Sequence, residues 1–184
     1  MGHVAHPLPK DWTIVCVDVQ KDFLFETEWM VEDLPLILPK IVRLAQRFQH
    51  GTVFTRFINP MNRFFSKWSL CLEGSVGAEL VDDLKPFANF VFDRTGYSCM
   101  KSTELVNFLM QNRVWSLYFA GVETDACVYA SMLDAFELGF EVHVFEDCVA
   151  SGKRPLHEPA LTMMKKQFGD DAVIDSTDFL QSFG

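Results

Sequence analysis

The sequence predicts an α/β protein, specifically a three-layer α/β/α sandwich built on a six-stranded parallel sheet with Rossmann-like topology. Two observations predict this fold. Short apolar segments rich in β-branched and aromatic residues alternate with longer segments whose apolar residues recur at helical spacing. The short segments are apolar almost throughout, as is typical of strands that helices cover on both faces. We expect residues 1–184 to form a single domain, beginning with an irregular arm over residues 1–11.

Most predicted strands are short, largely apolar segments that end at a polar residue or glycine. The first reads WTIVCV and stops at Asp18, and the fourth reads LYFA and stops at Gly121. The six predicted strands are Trp12–Val17, Thr52–Phe57, Asn89–Phe92, Leu117–Ala120, Glu141–Phe145 and Ala172–Ile174.

Capping residues and glycines bound the predicted helices. Asp33 precedes a helix that begins near Leu34 and ends before His50-Gly51, and Pro39 is expected to delay or kink it. The other predicted helical segments are Ala78–Leu84, Thr103–Met110, Ala126–Leu138, His157–Phe168 and a short helix capped by Ser176 or Thr177. The long irregular stretch over residues 58–77 is of the kind that usually carries function.

Composition excludes several classes of protein. The net charge of −9 and the pI near 4.9 disfavour a surface for nucleic acid or for an anionic membrane. No apolar run is long enough to span a bilayer, and no signal peptide is visible. The five cysteines are scattered and form no CxxC pair, so we expect neither a zinc site nor disulfides, and we expect a reducing, cytoplasmic location.

Three chemically useful side chains lie at the predicted ends of different strands. Parallel topology brings Asp18, Arg94 and Cys127 to one edge of the sheet, where ligands of such sheets bind. Cys127 falls in the first turn of the helix that Thr124 is expected to cap. Free N–H groups and the helix dipole there favour a thiolate and can hold an oxyanion, although the neighbouring Asp125 opposes ionisation. The alternative is that Cys127 is a small buried core residue.

Three motifs, in order, resemble the isochorismatase-like cysteine hydrolases, which include nicotinamidases and N-carbamoylsarcosine amidases. The motifs are VDVQKDF over residues 17–23, DRTGYSCMKSTEL over 93–105 and GVETDACVYASMLDAFELGFEV over 121–142. The tail EDCVASG over 146–152 fits the family too. The resemblance covers nearly the whole chain. It implies a hydrolase that cleaves a small-molecule amide through a covalent thioester, needs no cofactor, and forms a homodimer or homotetramer.

The resemblance also implies roles for particular residues. Cys127 takes the position of the nucleophile and Asp18 that of the acid/base carboxylate, whereas Arg94 stands where the family has a catalytic lysine. A cis peptide bond is expected between Val122 and Glu123, where it would shape the oxyanion hole together with Cys127.

Two departures from the family pattern qualify these roles. Nicotinamidases carry a metal-binding Asp and His cluster after the second strand, but TRFINPMNRFF occupies this place without a histidine, so we expect no metal.

The second departure is Arg94 in place of the family lysine, because arginine is bulkier than lysine and does not usefully give up its proton. The alternative function is therefore a catalytically weak or inactive protein that binds a small ligand. Lys101 is a less favoured substitute for the missing lysine.

Aromatic residues near the expected site predict an apolar substrate pocket. The residues expected to bind substrate are Phe23, Arg56, Phe57, Trp68 and Tyr97. For each ring, core packing is the alternative, and for Arg56 it is a salt bridge at the rim. We further expect Tyr129 to point away from Cys127, Asp22 to be a solvated loop acid, and Gln20 to hold loop backbone.

Overall fold

The structure, a computed structural model, describes residues 11–183. The arm expected over residues 1–11 therefore lies outside the described residues, except for Asp11, which begins the first strand. The strands are β1 Asp11–Val17, β2 Thr52–Phe57, β3 Val91–Arg94, β4 Val114–Val122, β5 Glu141–Ala150 and β6 Val173–Ile174. They form one sheet in the order β3-β2-β1-β4-β5-β6, and all adjacent strands pair in parallel.

Helices cover both faces of this sheet. They are α1 Lys21–Leu24, α2 Leu34–Arg47, α3 Thr103–Gln111, α4 Tyr129–Glu137, α5 His157–Phe168 and α6 Ser176–Gln181. The buried side chains of α2 pack on one face, and those of α3, α4 and α5 pack on the other. The predicted three-layer α/β/α fold with a six-stranded parallel sheet is confirmed.

The position of β1 in the middle of the sheet explains why most of its sequence is apolar. Ile14 and Cys16 belong to the hydrophobic cluster on one face of the sheet, and Val15 and Val17 belong to the cluster on the other. Both faces of β1 are therefore buried from Ile14 to Val17, so no position in this part of the strand favours a charged residue. The first charged residue after β1 is Asp18, at the carboxyl edge of the sheet.

The carboxyl ends of β1 and β4 approach each other closely at Gly121. Its φ of +108° is unfavourable for other residues, and a Cβ at this position would lie 2.0 Å from the carbonyl oxygen of Val17. β1 and β4 are also the strands between which the strand order reverses, and ligands of open α/β sheets bind at this place.

Three local predictions were wrong. Residues 78–84 form turns instead of a helix, because backbone hydrogen bonds from Lys21 to Glu79 and from Val81 to Val19 hold the segment against the chain after β1. A short helix, α1, forms where a loop was expected. The delay expected at Pro39 does not occur, since α2 begins at Leu34 and Pro39 lies inside it, whereas the alternative of a kink stays a prediction.

Candidate active site

A buried ion pair lies at the carboxyl edge of the sheet. Nη2 of Arg94, the last residue of β3, donates a hydrogen bond to Oδ2 of Asp18. Oδ1 of Asp18 accepts a second hydrogen bond from Oγ1 of Thr55, at 3.0 Å. Asp18 is 0% exposed and Arg94 is 4% exposed, so each charge needs the other. Arg94 therefore points inward, with its guanidinium carbon 5.1 Å from the centre of the Phe57 ring.

Cys127 lies in a wider turn than the sequence predicted. Thr124–Val128 forms a π-helical turn, and regular α-helix begins only with α4 at Tyr129. Glu123 occupies the position before this turn, and Thr124 does not cap it, because its hydroxyl lies 3.0 Å from Nδ1 of His157. Single π-turns often occur at functional sites in proteins.

Burial dominates the ionisation of Cys127. The thiol is 7% exposed, and burial raises its pKa above the usual value, while the nearby positive charge of Arg94 lowers it. The negative charge of Glu123 raises the pKa, and the backbone N–H of Glu123 lowers it. The expectation of a thiol that ionises readily was therefore wrong for the free protein, and the acid that acts on the sulfur is Glu123 instead of Asp125.

Glu123 contributes a second acid to the site. The peptide bond that joins it to Val122 is cis, at the expected position. Burial and the charge of Asp125 raise the pKa of the Glu123 carboxyl to about 7, against a smaller lowering by Lys153. A carboxyl with this pKa is partly protonated near neutral pH, in contrast to an exposed glutamate.

A cavity of about 120 Å³ opens directly onto Cys127. A cavity of about 150 Å³ in another protein accommodates benzene, so this one suits a small molecule. Its walls are formed by Phe23, Trp29, Phe57, Phe64, Phe65, Trp68, Arg94, Tyr97, Glu123 and Cys127. Four of the rings were predicted. Trp29, Phe64 and Phe65 were missed, although the last two lie in the irregular stretch that was expected to be functional.

Side-chain hydrogen bonds to backbone hold the loops that carry these rings. The amide of Gln20 bonds to the backbone of Phe57 and Ala78, as expected. The amide of Asn59 donates to the carbonyl oxygens of residues 65, 68 and 70. Asp22 is not a solvated acid, because its carboxylate accepts a hydrogen bond from the Cys71 N–H at 2.6 Å. These hydrogen bonds tie the loops to one another and to the end of β2.

Three other candidates lie away from the cavity. Arg56 faces Asp93 across the β2–β3 register and forms a two-pronged salt bridge with it, at 2.7 and 2.8 Å, so it does not line the cavity as expected. Lys101 pairs with Asp134 and is no substitute for the missing lysine. The hydroxyl of Tyr129 donates to Gln167, so Tyr129 points away from Cys127, as predicted.

The end of β2 does not fit a metal ion. Arg56 carries a positive charge that is already paired, and the side chain of Phe57 has no ligand atom. Over residues 11–183, no group of three or more His, Cys, Asp or Glu side chains is placed to hold a metal.

Comparison with known proteins gives the family. Residues 13–178 match the isochorismatase domain. The chain belongs to the isochorismatase family. The expected family is thus confirmed, and the chain is an isochorismatase-family hydrolase.

Individual relatives differ in what is known of them. A probable inactive nicotinamidase from Arabidopsis thaliana is 25% identical, over 85% of this chain and 89% of its own. A ureidoacrylate amidohydrolase from Acinetobacter baylyi is 29% identical, over 62% of this chain and 46% of its own. The structure of a pyrazinamidase from Pyrococcus horikoshii in complex with zinc is 30% identical, over 90% of this chain and 99% of that one, with a TM-score of 0.80.

No helix within residues 11–183 has the length and apolar character to cross a bilayer. The cytoplasmic location, the homodimer or homotetramer and the single domain over residues 1–184 stay predictions.

Proposed function

We propose that this hydrolase cleaves the C–N bond of a small amide through a thioester on Cys127, without a metal ion. The observation that carries the proposal is that Cys127 and Arg94, which forms a buried ion pair with Asp18, line the same small cavity together with aromatic rings. The amidohydrolase and pyrazinamidase relatives support an amide as the substrate class. The size of the cavity favours an acyl group no larger than about one ring.

The reaction begins with the thiol, which is protonated in the free protein. Cys127 gives its proton to Asp18 as its sulfur attacks the carbonyl carbon of the amide. The positive charge of Arg94 favours the thiolate at this step. Within the described residues, Nε and Nη1 of Arg94 are buried without a hydrogen-bond partner, so both can donate to the substrate.

The tetrahedral intermediate then collapses to the thioester. Backbone N–H groups at the start of the Thr124–Val128 turn stabilise the oxyanion. The C–N bond breaks as Asp18 returns the proton to the leaving nitrogen. Water attacks the thioester next, releasing the carboxylic acid and restoring the thiol of Cys127, so that one water is consumed for each amine released.

A second candidate function is binding of a small ligand without turnover. Arg94 in place of the family lysine favours it, because a guanidinium held by Asp18 does not exchange protons as an ammonium can. The likeness to a probable inactive nicotinamidase supports it too.

A panel of small aromatic and aliphatic amides separates the two functions by the ammonia released. We expect turnover by the wild-type protein, none by Cys127→Ala, and no change when EDTA is added. Tight binding of several amides without ammonia release would support the binding function instead. Loss of activity in EDTA that zinc restores would contradict metal independence.

A further inference from the structure

The two sides of the cavity differ in charge. Arg94 is neutralised by Asp18, so this pair contributes no net charge to the cavity. The carboxylic acid on the wall is Glu123, which is partly buried. Among residues 11–183, no hydrogen bond or ion pair is made by its carboxylate, and Lys153, whose charge it feels, lies beyond ion-pair distance. When Glu123 ionises, the cavity therefore carries an uncompensated negative charge.

The backbone leaves room for this carboxylate. A Cβ added at Gly152 would lie 2.4 Å from Oε1 of Glu123, so any larger residue at Gly152 would displace the carboxylate. The absence of a side chain at Gly152 thus permits the Glu123 carboxyl to lie against the chain after β5. An ionised carboxylate in a partly buried place is costly unless a partner satisfies it.

The remaining walls suit one kind of partner. Seven aromatic rings line the cavity with Glu123, and ring faces attract a cation while they repel an anion. A ligand with a positively charged nitrogen would satisfy both the carboxylate and the rings. A neutral ligand would leave the carboxylate unpaired, or protonated.

We propose that Glu123 binds a protonated amine on the acyl part of the substrate, so that the cavity selects small amides that carry a cationic nitrogen besides the scissile bond. This inference rests on the proposed function, since it names the substrate class of the same site. Glu123 acts here as a specificity residue, whereas Cys127 and Asp18 carry out the bond cleavage.

Calorimetry with two probes of similar shape tests this recognition without any hydrolysis. Benzylamine carries the cation and benzyl alcohol does not, and neither is an amide. We expect benzylamine to bind the wild-type protein about tenfold more tightly, as a charge-assisted hydrogen bond allows. Glu123→Gln keeps the size of the side chain and removes its charge, so the two probes should then bind equally.

Two further variants sharpen the test. Glu104→Gln removes an exposed acid of α3 that does not line the cavity, and should leave the preference unchanged. Gly152→Ala should weaken it, because the new methyl group displaces the Glu123 carboxylate. For the wild-type protein and Glu104→Gln, the preference should decrease as the pH falls through about 7, because Glu123 becomes protonated while benzylamine keeps its charge. Four other ionisable groups interact electrostatically with Glu123, namely Asp125, Lys153, Cys127 and Tyr97.

Three results would overturn the proposal: equal binding of the two probes to the wild-type protein, no binding of benzylamine at millimolar concentration, or a preference that survives Glu123→Gln. The ammonia assay is read separately. A preference for benzylamine without ammonia release supports recognition of the amine by Glu123 and contradicts amide hydrolysis. Ammonia release without that preference supports hydrolysis and contradicts the recognition.

Discussion

Asp18 and Glu123 are two acids beside one cavity, and their surroundings give them opposite properties. Asp18 is fully buried, and both of its carboxylate oxygens have partners, Arg94 and Thr55. Glu123 is less buried, but its carboxylate has no partner within the described residues, and its pKa is raised to about 7. The comparison teaches that the depth of a carboxylate does not by itself decide whether the protein provides it with a partner.

The largest expected effect comes from breaking the partnered acid. Asp18→Asn leaves the Arg94 guanidinium buried without a counter-charge, so we expect the free energy of unfolding to fall by about 3–5 kcal/mol. Urea denaturation measures this change. Asp93→Asn is the matched control, since it breaks the more exposed salt bridge to Arg56 and should cost less than about 1 kcal/mol. Similar losses in the two variants would contradict the importance of pairing at Asp18.

A smaller effect is expected at the cation itself. Arg94→Ala removes the positive charge that lowers the pKa of Cys127, so alkylation of Cys127 by iodoacetamide should slow about tenfold at neutral pH. Arg94→Lys keeps a positive charge at this position, so it should recover most of the alkylation rate of Cys127. This variant should also retain or raise amide turnover relative to the wild-type protein.

Peptide mapping identifies the labelled cysteine, and Arg56→Ala provides a control outside the cavity. An unchanged rate in Arg94→Ala would show that the guanidinium does not act on the sulfur. A native circular-dichroism spectrum is required of each variant, because loss of the fold would expose every thiol.

The smallest effect concerns the unpartnered acid and its pH dependence. The pKa of Glu123 is raised from 4.5 to about 7 in the folded protein. The folded protein therefore binds the proton of this carboxyl more tightly than the unfolded chain does. The resulting stabilisation is complete below about pH 4.5 and is lost as the pH rises through about 7. Glu123→Gln has no such loss, so the wild-type protein should lose about 1–3 kcal/mol relative to it between about pH 4 and pH 8.

Thermal unfolding of both proteins across this pH range measures the difference. A constant difference would mean that Glu123 has an ordinary pKa in the folded protein.

The sequence predicted what depends on local patterns. β2 was predicted without error, because TVFTRF is a short run rich in β-branched and aromatic residues that follows Gly51 and precedes Ile58-Asn59-Pro60. α5 was also predicted correctly, since Gly169 ends it at a positive φ. Asp18 and Arg94 were placed at one edge of the sheet because parallel topology alone requires it.

The errors arise where contacts distant in sequence decide the result. Arg56 seemed available to a ligand, but its partner Asp93 lies on a neighbouring strand and became visible only with the β2–β3 register. Residues 78–84 have a helical pattern, but their pairing with the chain after β1 prevents a helix. The pKa of Cys127 depends on burial beneath loops whose positions no short motif determines.

The most direct test of the account is the mass of the protein during turnover. A small aromatic amide that releases ammonia is mixed with the wild-type protein, and the reaction is quenched with acid and examined by intact mass spectrometry. We predict an added mass equal to the acyl group, located on the peptide that contains Cys127 and removed by hydroxylamine. Ammonia release with no such adduct, or with undiminished activity in Cys127→Ala, would contradict a thioester on Cys127.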